Sequence, residues 1–457
     1  MDGWLTMENW VLLSIIITTY IAIITTIGLY TKKKITSATS FFLANRSVKT
    51  LPLSATLTAT TVGGSATIVA GGRIFADGLP ALWYDLGGVI GLFILGISLA
   101  KIVRKTNCYT LPEIINTLYD KKTRNISAIL IIITEIAWVA LLIQAASFIL
   151  SVVLPIDTTI LLIAITIAFI SYTIIGGQFA VVYTDIIQFI IMFIGICMIA
   201  TPLLLSQALP HWSVLTSQQL SFPINNNIGI LPIGSIIFMM MMPHIVGPDI
   251  YGKILSAKNE KTARNATILA ASFKLIFAIA IAIIALCATA IPSIQQQITT
   301  PALTIPLTLT TLPTVLAGLV LAAFLSVMIS SADSCLLSAG TIFSVDLLKN
   351  NSIRTSQLGI IIVGISALML AIYHNLLGNI LDTLELAYTV FTAGLTLPVI
   401  FGLYKKQTKV TTKGAIYSII LGGTISLITL QIPLISSYAV LIGLIASLLP
   451  LLVFHHD

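Results

Sequence analysis

The sequence contains very little charge. Lys, Arg, Asp and Glu make up 9% of its 457 residues, whereas soluble domains carry about 25%. Hydrophobic residues account for 57%, so a soluble protein is excluded and a membrane protein with many spans is indicated. Cysteine is also scarce, and the scattered Cys108, Cys197, Cys287 and Cys335 predict no disulfide framework.

Motifs of common catalytic chemistry are missing as well. The sequence has no cluster of metal-ligating residues, no phosphate-binding loop and no nucleophile beside a candidate base. It therefore gives no indication of an enzyme. No long polar stretch separates the apolar regions, so we expect one membrane domain in a lipid bilayer, without an obligate protein partner.

Apolar runs of about 20 residues, the length of a membrane-spanning helix, recur along the chain. The thirteen runs, numbered 1 to 13 below, are 8–30, 51–75, 80–103, 126–153, 158–177, 182–206, 228–252, 265–292, 311–343, 357–374, 377–403, 414–432 and 435–455. This pattern predicts an all-α membrane protein of about 13 transmembrane helices.

Basic residues fall almost entirely in alternate loops. If the N-terminus is outside, 21 of the 23 Lys and Arg residues lie in inward loops, and the other two, Arg73 and Lys274, lie within apolar runs. The positive-inside rule therefore predicts an N-out, C-in orientation. The net charge of +7 is explained by these loops, so no nucleic-acid partner is expected.

Runs 2 and 7 contain residues that interrupt a helix. Run 2 includes Gly63-Gly64, and run 7 includes Pro243 followed by Gly247-Pro248. Interruptions five runs apart favour an inverted repeat around a site in the middle of the membrane, although ordinary kinks are an alternative. The expected parts are an N-terminal helix and loop (1–50), two five-helix repeats (51–206 and 207–403) and two C-terminal helices (404–457).

Several local motifs resemble those of the sodium/solute symporter family, which includes glucose, proline, pantothenate, choline and sialic acid transporters. The motifs, spread over roughly residues 35–350, are YTLPE (109–113), GGQFAVVYTDIIQ (176–188), LSAK (255–258), ISSADS (329–334) and FSVDL (343–347). The resemblance implies a LeuT-like fold of five plus five helices, with one extra helix before them and two after.

A sodium site is the first functional expectation. Na⁺ needs hard oxygen ligands, which an unwound membrane helix can supply from its carbonyls. The resemblance implies backbone ligands from Ala59, Val62 and Val327 and hydroxyl ligands from Ser330 and Ser331. Alternatively, the two serines are small residues for close helix packing. No cofactor other than Na⁺, the coupling ion, is expected.

Asp185 is the second candidate for sodium coupling. At the start of run 6 its carboxylate could simply cap the helix N-terminus. The resemblance links this residue to coupling, and implies a possible second sodium held with Ser331 and Ser334.

Three charged residues, Lys274, Glu135 and Asp333, are expected at a similar depth within the membrane. An isolated charge there costs at least about 2.5 kcal/mol. Lys274 is therefore predicted to pair with Glu135 or Asp333, or to reach a water-filled cavity, and a structural bridge is favoured over a proton relay. Arg73 and Asp85 are predicted to form an ion pair at an outer gate, or else to bind the substrate.

The substrate pocket is expected between the breaks of runs 2 and 7 and run 4. Its predicted lining residues are Thr61, Ser65, Trp138, Gln144, Phe238, Met239 and Met242. This lining predicts an apolar pocket and disfavours a sugar. Amino acids, short monocarboxylates and quaternary amines all fit, with a slight preference for a carboxylate at the half-helix amides of run 2.

Together these observations predict a sodium-coupled importer of a small organic solute, in the cytoplasmic membrane, that works by alternating access. Two alternatives stay open. One is a membrane sensor module related to such transporters, and the other is a proton-coupled carrier that uses Glu135, Asp185 or Asp333.

Overall fold

The computed structural model describes residues 7–377 and 380–454, and this part of the chain is helical throughout, apart from loops and isolated β-bridge residues such as Val48 and Ala257. Eleven helices are long and apolar enough to cross a membrane. They are Val11–Thr31, Leu79–Lys105, Lys121–Ser151, Thr158–Val214, Ile230–Ser256, Glu260–Ala290, Thr314–Leu347, Ile353–Tyr373, Thr383–Leu403, Thr412–Leu430 and Ser436–Val453. If the bent pair of helices Thr50–Thr61 and Ser65–Asp77 is counted as one span, the number rises to twelve.

Shorter helices lie in the connections between these spans. They are Ala38–Leu43, Leu111–Leu118, Ser217–Leu220, Pro292–Gln295, Thr304–Leu309 and Lys405–Thr408. Several begin with a side-chain cap; for example, the Thr110 hydroxyl accepts a hydrogen bond from the Glu113 amide at 3.1 Å.

The count of thirteen separate helices differs from the structure because runs 5 and 6 are not divided by a loop. They lie within Thr158–Val214, a helical stretch of 57 residues, which would be about 85 Å long if straight. Gly177 interrupts it with φ 52° and ψ −160°, a conformation that is essentially restricted to glycine. The chain changes direction at one residue, which a search for loops between apolar runs cannot detect.

The interruptions in runs 2 and 7 are breaks in the helices. In run 2 the helix ends at Thr61 and restarts at Ser65 with a bend of 60°. In run 7 the helix Ile230–Val246 ends at Gly247, and Pro248 begins the next helix, Pro248–Ser256. Proline is well suited to that first helical position because it has no amide hydrogen to leave unpaired. Pro243 lies inside its helix and is not the point of the break.

The loops that carry the basic residues contact one another. Val48 accepts a hydrogen bond from the Lys258 amide at 2.9 Å, and Arg104 donates to the Ala257 carbonyl at 2.6 Å. Arg124 forms an ion pair with Asp346 at 2.7 Å. These loops therefore lie on one face of the protein, which we call the basic face.

The helix Thr314–Leu347 is at the centre of the fold. This helix, which is run 9, packs against the helices of runs 1, 2, 4, 5, 6, 7 and 10. This arrangement brings the buried Ser330 and Ser331 against the break in run 2.

Candidate functional site

Three of the predicted sodium ligands, Ser330, Ala59 and Val327, contact one another near the break in run 2. The Ser330 hydroxyl donates to the Ala59 carbonyl at 2.8 Å and lies 3.3 Å from the Val327 carbonyl. Val62 is the residue at which the first half-helix ends, with φ −91° and ψ 71°. All four residues are fully buried. Hard oxygen atoms thus converge at a point where the helix has released its carbonyls from regular hydrogen bonding.

Ser331 lies beside this group but has a different partner. Its hydroxyl donates to the Thr60 carbonyl at 2.8 Å, one residue after Ala59, and its side chain also lines the central cavity described below. It therefore connects the predicted sodium site to that cavity.

Asp185 is fully buried and paired with a lysine that the sequence did not single out. Lys253 donates from Nζ to Asp185 Oδ2 at 2.7 Å and to Thr56 Oγ1 at 2.7 Å. The Thr56 hydroxyl also donates to Asp185 Oδ2. Asp185 is therefore not a simple helix cap. It lies within a continuous helical stretch and joins run 6 to runs 2 and 7.

Ser334 and Asp333 extend the polar network around the sodium site. The Ser334 hydroxyl donates to the Ser330 carbonyl at 2.8 Å and to Asp333 Oδ1 at 3.2 Å, and lies 3.1 Å from Thr60 Oγ1. Asp333 is fully buried. Its carboxylate is thus linked through Ser334 to the carbonyl-rich break in run 2.

The partner predicted for Lys274 is wrong. Lys274 pairs with Asp85 at 2.7 Å, not with Glu135 or Asp333, and it also donates to the Thr61 carbonyl at 2.6 Å. The ammonium group thereby neutralises a buried carboxylate and satisfies a carbonyl at the end of a half-helix. Depth along separate helices could not reveal which helices are neighbours.

The predicted outer-gate pair of Arg73 and Asp85 is also wrong, because the sequence could not show which helices are neighbours. Asp85 is occupied by Lys274, and Arg73 pairs with Asp77 on its own helix at 2.9 Å. Residues four apart on a helix lie on the same face, so the Arg73–Asp77 spacing in the sequence carried this information.

Glu135 is fully buried in the helix Lys121–Ser151. Neither of its carboxylate oxygens has a hydrogen-bond partner among the described residues, and Glu135 is close enough to Asp249 for the two acids to interact electrostatically. Glu135 therefore belongs to the surroundings of the central cavity and not to a pair with Lys274.

A central cavity lies between the breaks of runs 2 and 7. Of the predicted substrate residues, Thr61, Ser65 and Trp138 line it. Its full lining is Thr60, Thr61, Gly63, Gly64, Ser65, Trp138, Leu141, Leu142, Pro243, His244, Asp249, Ile250, Ser331, Cys335 and Tyr388. The volume of about 50 Å³ accommodates a few water molecules, so an organic solute requires the walls to move apart.

The other predicted lining residues lie elsewhere. Gln144 accepts a hydrogen bond from Thr383 at 2.9 Å and donates to the Ala371 carbonyl at 3.4 Å. Met239 lines a separate cavity of about 200 Å³ together with Arg73 and Glu385. Phe238 and Met242 do not line the central cavity.

The central cavity has more hydrogen-bonding groups than the predicted apolar lining implied. Threonine and serine hydroxyls, the His244 imidazole, the Asp249 carboxylate and the Tyr388 hydroxyl all line the cavity. His244 donates from Nδ1 to the Met240 carbonyl at 2.7 Å. Asp249 follows Gly247-Pro248 directly, so its position at a helix break was the signal that could have identified it.

Two different features lie on the two sides of the cavity. The Tyr388 hydroxyl lies 3.1 Å from Ser65 Oγ, and its ring packs edge-on against Trp138. On the opposite side, Asp249 also lines a smaller cavity whose walls include Tyr109 and Thr341 near the basic face. Asp249 thus lies between the central cavity and this second cavity near the basic face.

Comparison with known proteins identifies the family. The model of the sodium:solute symporter family matches residues 41–422. The chain belongs to this family. Sodium/proline symporters of Staphylococcus aureus, including those of strains RF122 / ET3-1 and Newman, are 25% identical to it over 438 residues, covering 91% of this chain and 85% of theirs.

Solved structures of LeuT-type transporters share the fold. A Na⁺-coupled sialic acid symporter in an outward-open, substrate-bound state has a TM-score of 0.78 at 18% identity, with 97% of both chains covered. MhsT in complex with L-phenylalanine has a TM-score of 0.60 at 13% identity, covering 89% of this chain and 98% of its own. The family and fold together make this chain a sodium-coupled symporter of a small organic solute.

Proposed function

We propose that the protein imports an amino acid, a monocarboxylate or a similarly small solute across the cytoplasmic membrane, driven by Na⁺. The observation that carries the proposal is the convergence of the Ser330 hydroxyl with the Ala59 and Val327 carbonyls at a helix break. Ser331 and Val62 complete the ligand set. The relatives named sodium/proline symporters favour an amino acid as the first solute to test.

A thirteen-span, N-out and C-in topology fits this role. Gly177 divides Thr158–Val214 into parts that can each cross a bilayer, and the bent pair of run 2 forms one further span. The repeats then correspond to 51–206 and 207–403, with the basic face towards the cytoplasm. Contacts among the basic loops support a common side.

Alternating access would use the two ends of the central cavity. The Tyr388–Ser65 contact closes the outer side, and the path through Asp249 leads to the basic face. Solute entry from outside requires this contact to separate. The two broken helices place the solute and the ion at the same depth, so that both are exposed to one side at a time.

A single sodium per cycle fits the surroundings of Asp185. The Lys253 ammonium group and the Thr56 hydroxyl already contact Asp185 Oδ2, so a second Na⁺ held there with Ser331 and Ser334 would have to displace a buried lysine. One Na⁺ entering down about 100 mV and a tenfold gradient releases roughly 3.7 kcal/mol. This energy sustains about a 500-fold solute gradient.

Uptake into proteoliposomes tests the proposal. Radiolabelled L-proline is the first probe, followed by other amino acids and monocarboxylates, with an inward gradient of NaCl or of KCl. We expect accumulation above the equilibrium level with NaCl only. Accumulation driven equally well by a proton gradient would favour a proton-coupled carrier, and binding without accumulation would favour a sensor module.

A further inference from the structure

The charges around the central cavity do not balance. Each buried lysine there is already paired at 2.7 Å, Lys253 with Asp185 and Lys274 with Asp85. Asp249 lines the cavity but takes part in no ion pair among the described residues. Within the membrane an uncompensated carboxylate is costly, so a cation in the cavity would be bound favourably at this position.

The surroundings of Asp249 strengthen this imbalance. Lys253 lies four residues further along the same helix, but its ammonium group is bound to Asp185 and Thr56. Glu135, which is buried on the helix Lys121–Ser151, is also acidic and supplies no positive charge. His244, the other ionisable lining residue near the break, uses Nδ1 to donate to the Met240 carbonyl. The cavity lining contains neither lysine nor arginine.

Trp138 provides an independent indication of a ligand. It is 6% exposed, lines the cavity, and its indole N–H has no hydrogen-bond acceptor in the described structure. A buried donor without a partner is unfavourable, and an acceptor on a solute would satisfy it. The Tyr388 ring lies 5.4 Å from the Trp138 ring, centroid to centroid, so aromatic faces that can attract a cation border the same space.

We propose that Asp249 binds a positively charged nitrogen of the transported solute, while the Trp138 N–H binds an acceptor on the same molecule. The solute class is then a zwitterion or ammonium compound, such as an amino acid or a betaine, and not a simple monocarboxylate. The inference rests on the proposed transport function and specifies its substrate class. It replaces the earlier preference for a solute with a carboxylate alone, because the Asp249 carboxylate gives the cavity a fixed negative charge.

Asp249 also lies in the first turn of the helix Pro248–Ser256, where a carboxylate stabilises the helix dipole. This structural role predicts a less stable protein without Asp249 but no preference among solutes. The solute preference therefore distinguishes the two roles.

Two pairs of probes with the same shape test the charge requirement. L-Proline is compared with cyclopentanecarboxylate, and glycine betaine with 3,3-dimethylbutanoate, which replaces the charged nitrogen by carbon. Binding to the purified full-length protein is measured by thermal stabilisation in NaCl and in KCl. We expect at least one nitrogen-containing probe to bind and its carbon analogue to bind at least about 30-fold more weakly, as for loss of a buried ion pair.

Equal binding within a pair, binding of the carboxylates alone, or binding of none of the four probes would overturn the proposal. The Na⁺ dependence is a separate result. If the nitrogen-containing probe binds equally well in NaCl and KCl, the solute class stands and the sodium-coupled function fails.

A variant with a matched control assigns the effect to Asp249. Asp249→Asn should weaken binding of the nitrogen-containing probe about 30-fold or more and reduce the preference over its carbon analogue. Stabilisation by Na⁺ alone should persist, which reports a folded protein. The matched control is Asp157→Asn, which removes an exposed carboxylate while asparagine preserves the helix cap that Asp157 forms. Its binding of the probes should be unchanged. An unchanged solute preference in a folded Asp249→Asn protein would contradict the assignment.

Discussion

The ion pair between Lys274 and Asp85 joins run 8 to run 3 in a fully buried position. Lys274→Met leaves Asp85 without its partner, and removal of one member of such a pair costs about 3 to 5 kcal/mol. We expect a large fall in the thermal unfolding midpoint of the purified protein. Combining Lys274→Met with Asp85→Asn should recover part of the loss.

The same variant combined with Glu135→Gln serves as the control for this pair. Because Lys274 pairs with Asp85 and not with Glu135, we expect no recovery. If Glu135→Gln restores the unfolding midpoint and Asp85→Asn does not, the buried partner of Lys274 is Glu135 and not Asp85.

Ser330 and Ser331 differ in what their hydroxyls contact, and the difference predicts unequal effects on sodium binding. Ser330 lies between the Ala59 and Val327 carbonyls, whereas Ser331 contacts Thr60 and the cavity. Ser330→Ala should raise the Na⁺ concentration for half-maximal binding about tenfold, and Ser331→Ala less.

Ser326→Ala is the matched control on the same helix. The Ser326 hydroxyl donates to the Ala322 carbonyl and the Tyr20 hydroxyl, one turn before the predicted site. Its half-maximal Na⁺ concentration should be unchanged. Equal Na⁺ affinities for Ser330→Ala and Ser326→Ala would contradict the ligand role of Ser330.

Individual residues were predictable where a motif or a helix break specifies them. The serines of run 9 contact carbonyls at the break in run 2, and their role as sodium ligands stays a prediction. The partner of Lys274 was not predictable, because it depends on the packing of helices far apart in the sequence. Asp249 was missed because one acid next to Gly-Pro resembles an ordinary helix start.

At the scale of the helices, Gly177 is the residue on which the separation of runs 5 and 6 depends. Its φ of 52° with ψ of −160° disfavours any side chain. A Cβ would also lie 2.6 Å from the Phe41 ring and 2.7 Å from the Phe41 carbonyl oxygen. Gly177→Ala should therefore destabilise the protein by roughly 1 to 3 kcal/mol or more, measured as a lower thermal unfolding midpoint.

Gly234→Ala is the corresponding control in a regular helix. A Cβ at Gly234 meets no atom within 4 Å, and alanine favours a helix by about 1 kcal/mol over glycine. Its midpoint should be unchanged or slightly higher. A Gly177→Ala protein as stable as this control would show that the chain does not need this conformation.

The apolar runs predicted most helices but not how the chain passes between them. Hydrophobicity reports burial in lipid or protein, so it identifies long helices well. A change of direction at a single glycine leaves no polar loop, and runs 5 and 6 therefore lie in one helical stretch of the structure. The helix breaks at Val62 and Gly247 were predictable because glycine and proline mark them.

At the scale of the whole molecule, the basic face determines the expected orientation. Single cysteines at the exposed positions Lys258 and Gln296 lie in loops on opposite faces under this topology. In a protein with the native cysteines replaced, a membrane-impermeant thiol reagent should label Gln296→Cys in intact cells and leave Lys258→Cys unlabelled. The reverse pattern would show that the N-terminus faces the cytoplasm.

Binding of ²²Na⁺ to the purified protein tests the central claim most directly, because it needs no knowledge of the solute. The account predicts saturable binding that unlabelled Na⁺ displaces and K⁺ does not. With Lys253 paired to Asp185, it also predicts one Na⁺ per protein, and binding about tenfold weaker in Ser330→Ala. No saturable ²²Na⁺ binding to the unmodified protein, or the same affinity in Ser330→Ala, would contradict the account.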